Sequence, residues 1–325
     1  MGRASKDKRD IYYRKAKEEG WRARSAFKLL QIDEQFDLFT GVHRAVDLCA
    51  APGSWSQVLS RKLHRGGSSG APTSEDTRIV AVDLQDMAPI EGVSIIAGDI
   101  TSQATVDEVL RLFREGQTER YADLVVCDGA PDVTGMHDLD EYIQAQLLLS
   151  ALSITSQLLR EGGTFVAKIF RGRDSPLLYS QLKVFFPDVV VAKPKSSRNS
   201  SVEAFVVARG FRLPAGFARG VLHCVTTDDY TAQSGGGGID RLIVPFVACG
   251  DLVGYDADAT YPLDAEGGPA YVYHEPTQKP TTPAYRAYLE AQQSAGGRKV
   301  VLDSTWASAA DPAVSNGAAG STGSA

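Results

Sequence analysis

The sequence predicts an α/β fold: a seven-stranded, mostly parallel sheet with helices on both faces, followed by a C-terminal extension. Two observations predict it. Short apolar, β-branched runs alternate with helical segments along residues 41–210, which is the pattern of repeated βαβ units. Four of those runs finish in aspartate: Asp47, Asp83, Asp99 and Asp128. Open α/β sheets bind ligands at the carboxyl ends of their strands, so four acids there would converge on one rim.

The strand candidates are Arg44–Cys49, Arg78–Leu84, Val93–Asp99, Ala122–Asp128, Gly163–Phe170, Asp188–Ala192 and Ala204–Ala208. Helix candidates between and before them are Ala26–Phe36, Trp55–Leu63, Thr105–Phe113, Leu139–Leu159 and Pro176–Phe186. The Gly/Ser/Pro-rich run Arg65–Thr77 reads as a surface insertion. Residues 211–240 are irregular, and Arg241–Cys249 is one further strand-like run. Four regions follow: a basic helical segment (1–40), the α/β core (41–210), an extension (211–275) and a low-complexity tail (276–325) expected to be disordered.

Composition narrows the class. The chain has 325 residues, 43% apolar and 23% charged, as in ordinary globular proteins. No stretch is long and apolar enough to span a membrane, and the charged N-terminus gives no secretory signal. Cys49, Cys127, Cys224 and Cys249 form no CxxC pair, so neither a zinc site nor a disulfide framework is expected. A reducing compartment fits.

Net charge is −6, yet residues 1–28 hold ten Lys/Arg against four Asp/Glu, with Tyr12, Tyr13, Trp21 and Phe27 interleaved. Lys193, Lys195 and Arg198 form a second basic segment. A local basic patch attracts phosphates whatever the global charge; a solvated helix face is the competing reading.

The segment Asp47–Trp55 reads as strand, tight turn and helix start. Gly53 allows close backbone approach, and a helix N-terminus favours an anion. Ser54 and Gln57 have capping-box spacing. Alone, this pattern fits a purely structural turn equally well. It carries a single glycine, against the G-x-G-x-x-G of dinucleotide folds, and the chain has no P-loop. Asp83 at the second strand end is placed to accept from ribose hydroxyls, and Asp99 from an adenine amine. A turn-forming role is commoner for any single aspartate, but four together fit it poorly. Lys168, inside the apolar run Phe165–Phe170, is costly to bury unless paired. Glu203 precedes the next strand, and a simple Lys–Glu pair is the bland alternative.

Taken together, Asp47–Trp55, Asp83-Leu84-Gln85, Asp128-Gly129-Ala130-Pro131-Asp132, Val166-Ala167-Lys168 and Ser197–Ser201 leading to Glu203 resemble the FtsJ/RrmJ family of Rossmann-like RNA ribose 2′-O-methyltransferases. The resemblance covers roughly residues 1–210. The opening Gly2–Asp10, the run Trp21–Lys28 and the segment Ile243–Leu252 with Tyr261-Pro262-Leu263 are similar to the eukaryotic cytoplasmic tRNA branch, which acts on the anticodon loop.

The resemblance implies S-adenosylmethionine as cofactor, with contacts from Gly53, Trp55, Asp83, Asp99 and Asp128. It also implies a catalytic tetrad of Lys28, Asp128, Lys168 and Glu203, with Lys168 as general base and no metal. Burial and the second cation, Lys28, are expected to lower the pKa of Lys168, while Asp128 and Glu203 orient it and limit the shift. The branch implies tRNA as substrate, a cytoplasmic location, and two separate protein partners, a WD-repeat propeller and a helical-repeat protein, with Arg241–Leu252 as docking surface. RNA cytosine-5 enzymes need a cysteine where Asp132 stands, and the Asn/Asp-Pro-Pro-Tyr/Phe motif of amino-N6 enzymes is absent. The competing functions are ribosomal RNA 2′-O-methylation and non-catalytic RNA binding.

Overall fold

The computed structural model describes residues 7–64, 77–131, 136–172, 175–220, 222, 244–264 and 270–277. All of them lie in one compact unit, Met1–Gln278. The Arg65–Thr77 insertion, save Thr77, and the tail beyond residue 277 lie outside the described residues. Among the described residues no helix is long and apolar enough to cross a membrane.

Two helices precede the sheet. The first, α1 (Ile11–Glu18), is capped by Asp10, whose side chain accepts from Tyr13 N at 2.9 Å. The second, α2 (Ala26–Phe36), ends at Asp37 in the left-handed conformation. Then follow β1 (Arg44–Leu48), α3 (Ser54–Leu59) running into a π-turn (Ser60–His64), β2 (Arg78–Asp83), β3 (Val93–Ala97) and α4 (Gln103–Phe113). The second half comprises β4 (Ala122–Cys127), α5 (His137–Leu158), β5 (Leu159–Phe170), α6 (Ser175–Phe185), β6 (Asp188–Pro194), β7 (Glu203–Arg209) and β8 (Phe246–Cys249).

The strands form one sheet in the order β3-β2-β1-β4-β5-β7-β6-β8. Pairing is parallel except for β7, which is antiparallel to both β5 and β6. Strand periodicity sorts side chains to two faces. Val46, Leu48, Val125 and Phe165 face one apolar cluster, which α4, α5 and α6 complete. Ala45, Leu124, Val126, Val166 and Val207 face the other, with Leu29 and Ile32 of α2 and Trp55 and Val58 of α3.

Four sequence expectations change. The sheet has eight strands, because the run expected as a strand of the extension supplies β8, parallel to β6. Phe246–Cys249 of the extension therefore joins the core sheet. β5 starts at Leu159 rather than Gly163, with Gly162 at φ +78° and a register shift opposite Ala122–Leu124 absorbing the irregularity. β3 stops at Ala97, so Asp99 lies two residues beyond its end. The Ser54/Gln57 capping box does not form: Gly53 is the N-cap, Ser54 Oγ meets Ser25 Oγ, and Gln57 Oε1 accepts from Arg22 N.

Asp47 sits inside β1 rather than at the rim. It is fully buried and accepts from Ser56 Oγ at 2.6 Å. Burial, opposed by the Ser56 hydrogen bond and reinforced by the charges of Asp128 and Asp83, pushes its carboxyl up to about 8. Such a carboxyl favours the folded state when protonated. That contribution is complete below the unfolded value of roughly 3.9 and is lost as pH rises through about 8. Asp47→Asn keeps an acceptor for Ser56 and removes the titration. Its melting temperature is expected to fall less than that of the parent between about pH 6 and pH 9. Equal slopes in calorimetry would exclude Asp47 as the source.

Candidate active site

The turn after β1 is tied on both sides. Ala50 N donates to Val82 O at 3.1 Å, and Ala51 N donates to Asp83 Oδ2 at 2.8 Å. Gly53 adopts φ +99°, which L side chains rarely reach, and a Cβ there would lie 2.8 Å from Arg22 Nη1 and 2.9 Å from Ile90 Cδ1. Arg22 clips the turn to the loop after β2: it donates to Pro52 O at 3.0 Å, Ala88 O at 2.8 Å and Pro89 O at 2.9 Å. Gly129, just past β4, would place a Cβ 2.9 Å from Cys49, so glycine lets the β4 end close on the β1 turn.

The half-buried Asp83 carboxylate is held by two backbone donors, Ala51 N and Gln85 N. Asp99 is exposed, and its Oδ1 accepts from both the backbone N–H and the hydroxyl of Thr101. Those bonds hold its carboxyl below the usual range, so it keeps its charge. The Trp55 side chain is built into the core. Its ring is 1% exposed, packs on Phe205 with centroids 5.5 Å apart, and donates through Nε1 to Ser25 O. The indole is core; Trp55 can offer a ligand only its backbone N–H in the first turn of α3. The Gly53 cradle and the acids at the β2 and β3 ends suit the amino-acid carboxylate and the sugar hydroxyls of an adenosyl cofactor.

Lys28, Asp128, Lys168 and Glu203 come together from four elements. β4 and β5 run parallel with Cys127 opposite Ala167, placing Asp128 beside Lys168. β5 and β7 run antiparallel with Phe170 opposite Glu203, and α2 lays Lys28 across them. Lys168 Nζ lies 2.7 Å from Asp128 Oδ1, 2.8 Å from Asp128 O and 3.7 Å from Glu203 Oε2. Lys28 Nζ lies 2.8 Å from the same Glu203 oxygen. Two cations and two anions alternate, so each buried charge has an opposite neighbour. Ser197 Oγ donates to Glu203 Oε1 at 2.6 Å.

The electrostatics reverse one expectation. Burial pulls the Lys168 pKa down, but the Asp128 and Glu203 carboxylates outweigh it, and the net shift is upward. Lys28 bonds to Glu203 rather than repelling Lys168. Burial alone would raise Glu203, yet Lys28 and Lys168, with the Ser197 hydrogen bond, hold it down at about 2. The resident form is therefore a doubly bridged ammonium.

Three positioning groups escaped the sequence reading. Gln144 on α5 donates to Gly129 O and Lys168 O, both at 3.2 Å, joining the ends of β4 and β5. Arg22 and Ser197 lie within family-like motifs, but the Arg22 partners are 30 to 67 residues away and the Ser197 bond to Glu203 spans a loop. Several basic residues also turn inward. Lys17 pairs with Asp7 at 2.7 Å, both buried, and Arg24 bonds to Asp10 and Ser196 O. Lys193 donates to Ser201 O and Glu203 O. Lys8, Arg9 and Arg198 keep exposed side chains.

An open α/β sheet with an antiparallel β7, a glycine turn and acids at its carboxyl rim, beside a Lys-Asp-Lys-Glu cluster, defines a Rossmann-like group-transfer enzyme. The profile of the FtsJ-like methyltransferases matches residues 21–211, and the chain belongs to that family. It is 60% identical over 287 residues to a mouse (Mus musculus) protein named tRNA (cytidine(32)/guanosine(34)-2'-O)-methyltransferase, covering 88% of this chain and 85% of the relative. A Schizosaccharomyces pombe protein of the same name is 54% identical over 294 residues, covering 90% and 99%. A Pelagibacter ubique protein named ribosomal RNA large subunit methyltransferase E is 38% identical over 208 residues, covering 64% and 95%.

Proposed function

We propose that the chain transfers a methyl group from S-adenosylmethionine to ribose 2′-hydroxyls in the anticodon loop of tRNA, including the wobble position. The observation that carries the chemistry is the Lys28–Glu203–Lys168–Asp128 chain of charges. The substrate follows from relatives so named, whose similarity covers 88–90% of the chain and so cannot stop at the core. The ribosomal RNA relative covers 64%.

When bound, the cofactor supplies an electrophilic methyl on a positively charged sulfur. Gly53 and the first-turn N–H of Trp55 cradle its amino-acid end, Asp83 takes the ribose hydroxyls, and Asp99 the adenine amine. Asp128, next to both sites, orients Lys168. Lys168 in its free-amine form accepts the 2′-hydroxyl proton as the oxygen takes the methyl, and ends as the ammonium. Lys28 neutralises Glu203, so that Glu203 steadies Lys168 without stranding a buried charge. Lys6, Lys8 and their neighbours hold RNA phosphates, while Lys17 serves the fold. The protein acts in the cytoplasm with separate partners, a WD-repeat propeller and a helical-repeat protein.

Labelled methyl transfer to unmodified tRNA transcripts, with ribosomal RNA fragments alongside and the product mapped to the nucleotide, tests the assignment. Product on ribosomal RNA alone overturns it. For the basic segment, Lys6→Gln with Lys8→Gln is expected to weaken tRNA binding and to flatten its salt dependence by about one to two in log–log slope. Unchanged binding would remove the segment from the RNA site. Lys17→Ala is instead expected to destabilise the fold, by about 3 kcal/mol, because the buried Asp7 loses its cation and keeps only the Tyr271 hydroxyl; a denaturant melt reads this.

A further inference from the structure

A cavity opens against the loop between β6 and β7. Its volume is about 460 Å³, and its lining includes Arg9, Asp10, Arg198, Ser200, Asp258 and Thr260. Three separate stretches of chain meet here: the start of α1, the loop between β6 and β7, and the extension beyond β8. The loop is the one whose Ser197 hydroxyl holds Glu203. The extension holds that loop in turn. Asn199 N donates to Asp258 Oδ2 at 2.7 Å, Asn199 Nδ2 to Asp256 Oδ2 at 3.3 Å, and Lys195 Nζ meets Asp256 Oδ2 at 3.5 Å. Tyr261 N donates to Lys8 O at 3.1 Å, fixing the third wall.

The lining is chemically mixed in a useful way. Arg198 is 58% exposed and reaches Asp10 only at 3.8 Å. Asp10 is already engaged by Arg24 and by Tyr13 N, so Arg198 is free to exchange towards a phosphate. Arginine suits phosphate through its planar fork of donors. Asp258 Oδ2 accepts from Asn199 N and Oδ1 from Ser200 Oγ at a long 3.5 Å; the weakly held Oδ1 edge and the Thr260 hydroxyl suit sugar hydroxyls. Bases would meet no large apolar or aromatic wall among these groups.

We propose that this cavity binds the sugar–phosphate backbone of a nucleotide flanking the target ribose, so that the extension contacts RNA directly. Arg198 pairs with the phosphate, and Asp258 and Thr260 form the sugar wall. The proposal rests on the RNA methyltransferase reading of the tetrad. It adds the extension to substrate binding, since residues 256–260 fall outside the matched span of 21–211, while Arg198 lies within it.

The test uses the full chain, a tRNA transcript for turnover and a fluorescent anticodon stem-loop for binding. Arg198→Ala removes the phosphate partner. Thr260→Trp fills the cavity while leaving Asp256 and Asp258 on the loop. Both are expected to raise KM and the stem-loop Kd by about tenfold, with kcat within about twofold. Arg198→Ala should also lower the salt slope of binding by about 0.7, the value for one single-strand phosphate contact, and Arg198→Lys should restore the slope. Unchanged KM and Kd in both variants would overturn the proposal. So would a fall in kcat at constant KM, which would reduce the wall to a support for Glu203. If the parent methylates a ribosomal RNA hairpin and no tRNA, the tRNA reading falls, and the same Kd comparison on that hairpin still decides the cavity.

Discussion

Replacing Lys168 with arginine is expected to slow single-turnover methyl transfer by about a thousandfold or more, with cofactor affinity within about threefold of the parent. Arginine keeps the positive charge between Asp128 and Glu203, so the charge balance of the cluster survives. What it cannot do is release its proton near neutrality and accept another. The variant thus separates a base from a structural cation. The parent gives a second readout. With its pKa raised by Asp128 and Glu203 over the opposing effect of burial, Lys168 is mostly ammonium near neutral pH. Only the free amine can act, so the rate below that pKa should climb about tenfold per pH unit. Near-normal transfer by Lys168→Arg, or a rate flat from about pH 7 to pH 9 under single-turnover conditions, would remove the base assignment.

Gly53→Ala is expected to weaken binding of S-adenosylhomocysteine by about ten- to thirtyfold. An L residue held in the left-handed region costs about 1–2 kcal/mol, and here the added methyl also meets the Arg22 guanidinium and Ile90. Arg22 cannot simply swing away, because it donates to three carbonyls on two loops. The turn or the Ala88–Pro89 loop must therefore shift. Gly41→Ala is the control: its φ is +74°, yet nothing lies within 4 Å of the added Cβ. That variant should lose some thermal stability and bind the ligand normally. Calorimetric titration showing equal affinity for both variants would mean that the β1 turn is not the cofactor cradle.

The legible parts of this molecule were those coded locally. Strand cores such as Val46 and Val125 and the helix Ala26–Phe36 announce themselves by periodicity and by flanking turn residues. The convergence of Lys28, Asp128, Lys168 and Glu203 spans 175 residues between Lys28 and Glu203, and it was legible only through motif resemblance. Periodicity cannot say that α2 crosses the β5–β7 pair. The sign of the Lys168 shift is hidden for the same reason: nothing local shows that the fold places Glu203 between Lys28 and Lys168. A motif position does not reveal which way an indole faces, so the burial of the Trp55 ring is not legible in the sequence. The contacts of the extension with the rest of the chain, such as Tyr12 Oη to Tyr255 O across 243 residues, leave no local trace in the sequence.

The short strand β8 has one more consequence. β6 carries the consecutive residues Val189, Val190 and Val191 with both faces buried, and such a strand at an open margin is a template for pairing with other chains. The segment before and at β8 occupies that margin: Val191 N donates to Pro245 O and Lys195 N to Cys249 O, both at 2.8 Å. The margin exposed instead is a four-residue strand, and Gly250, at φ +88°, turns the chain just beyond it. The segment that reaches the loop beside Glu203 thus also guards the sheet against self-association, exchanging a sticky valine edge for a brief and interrupted one.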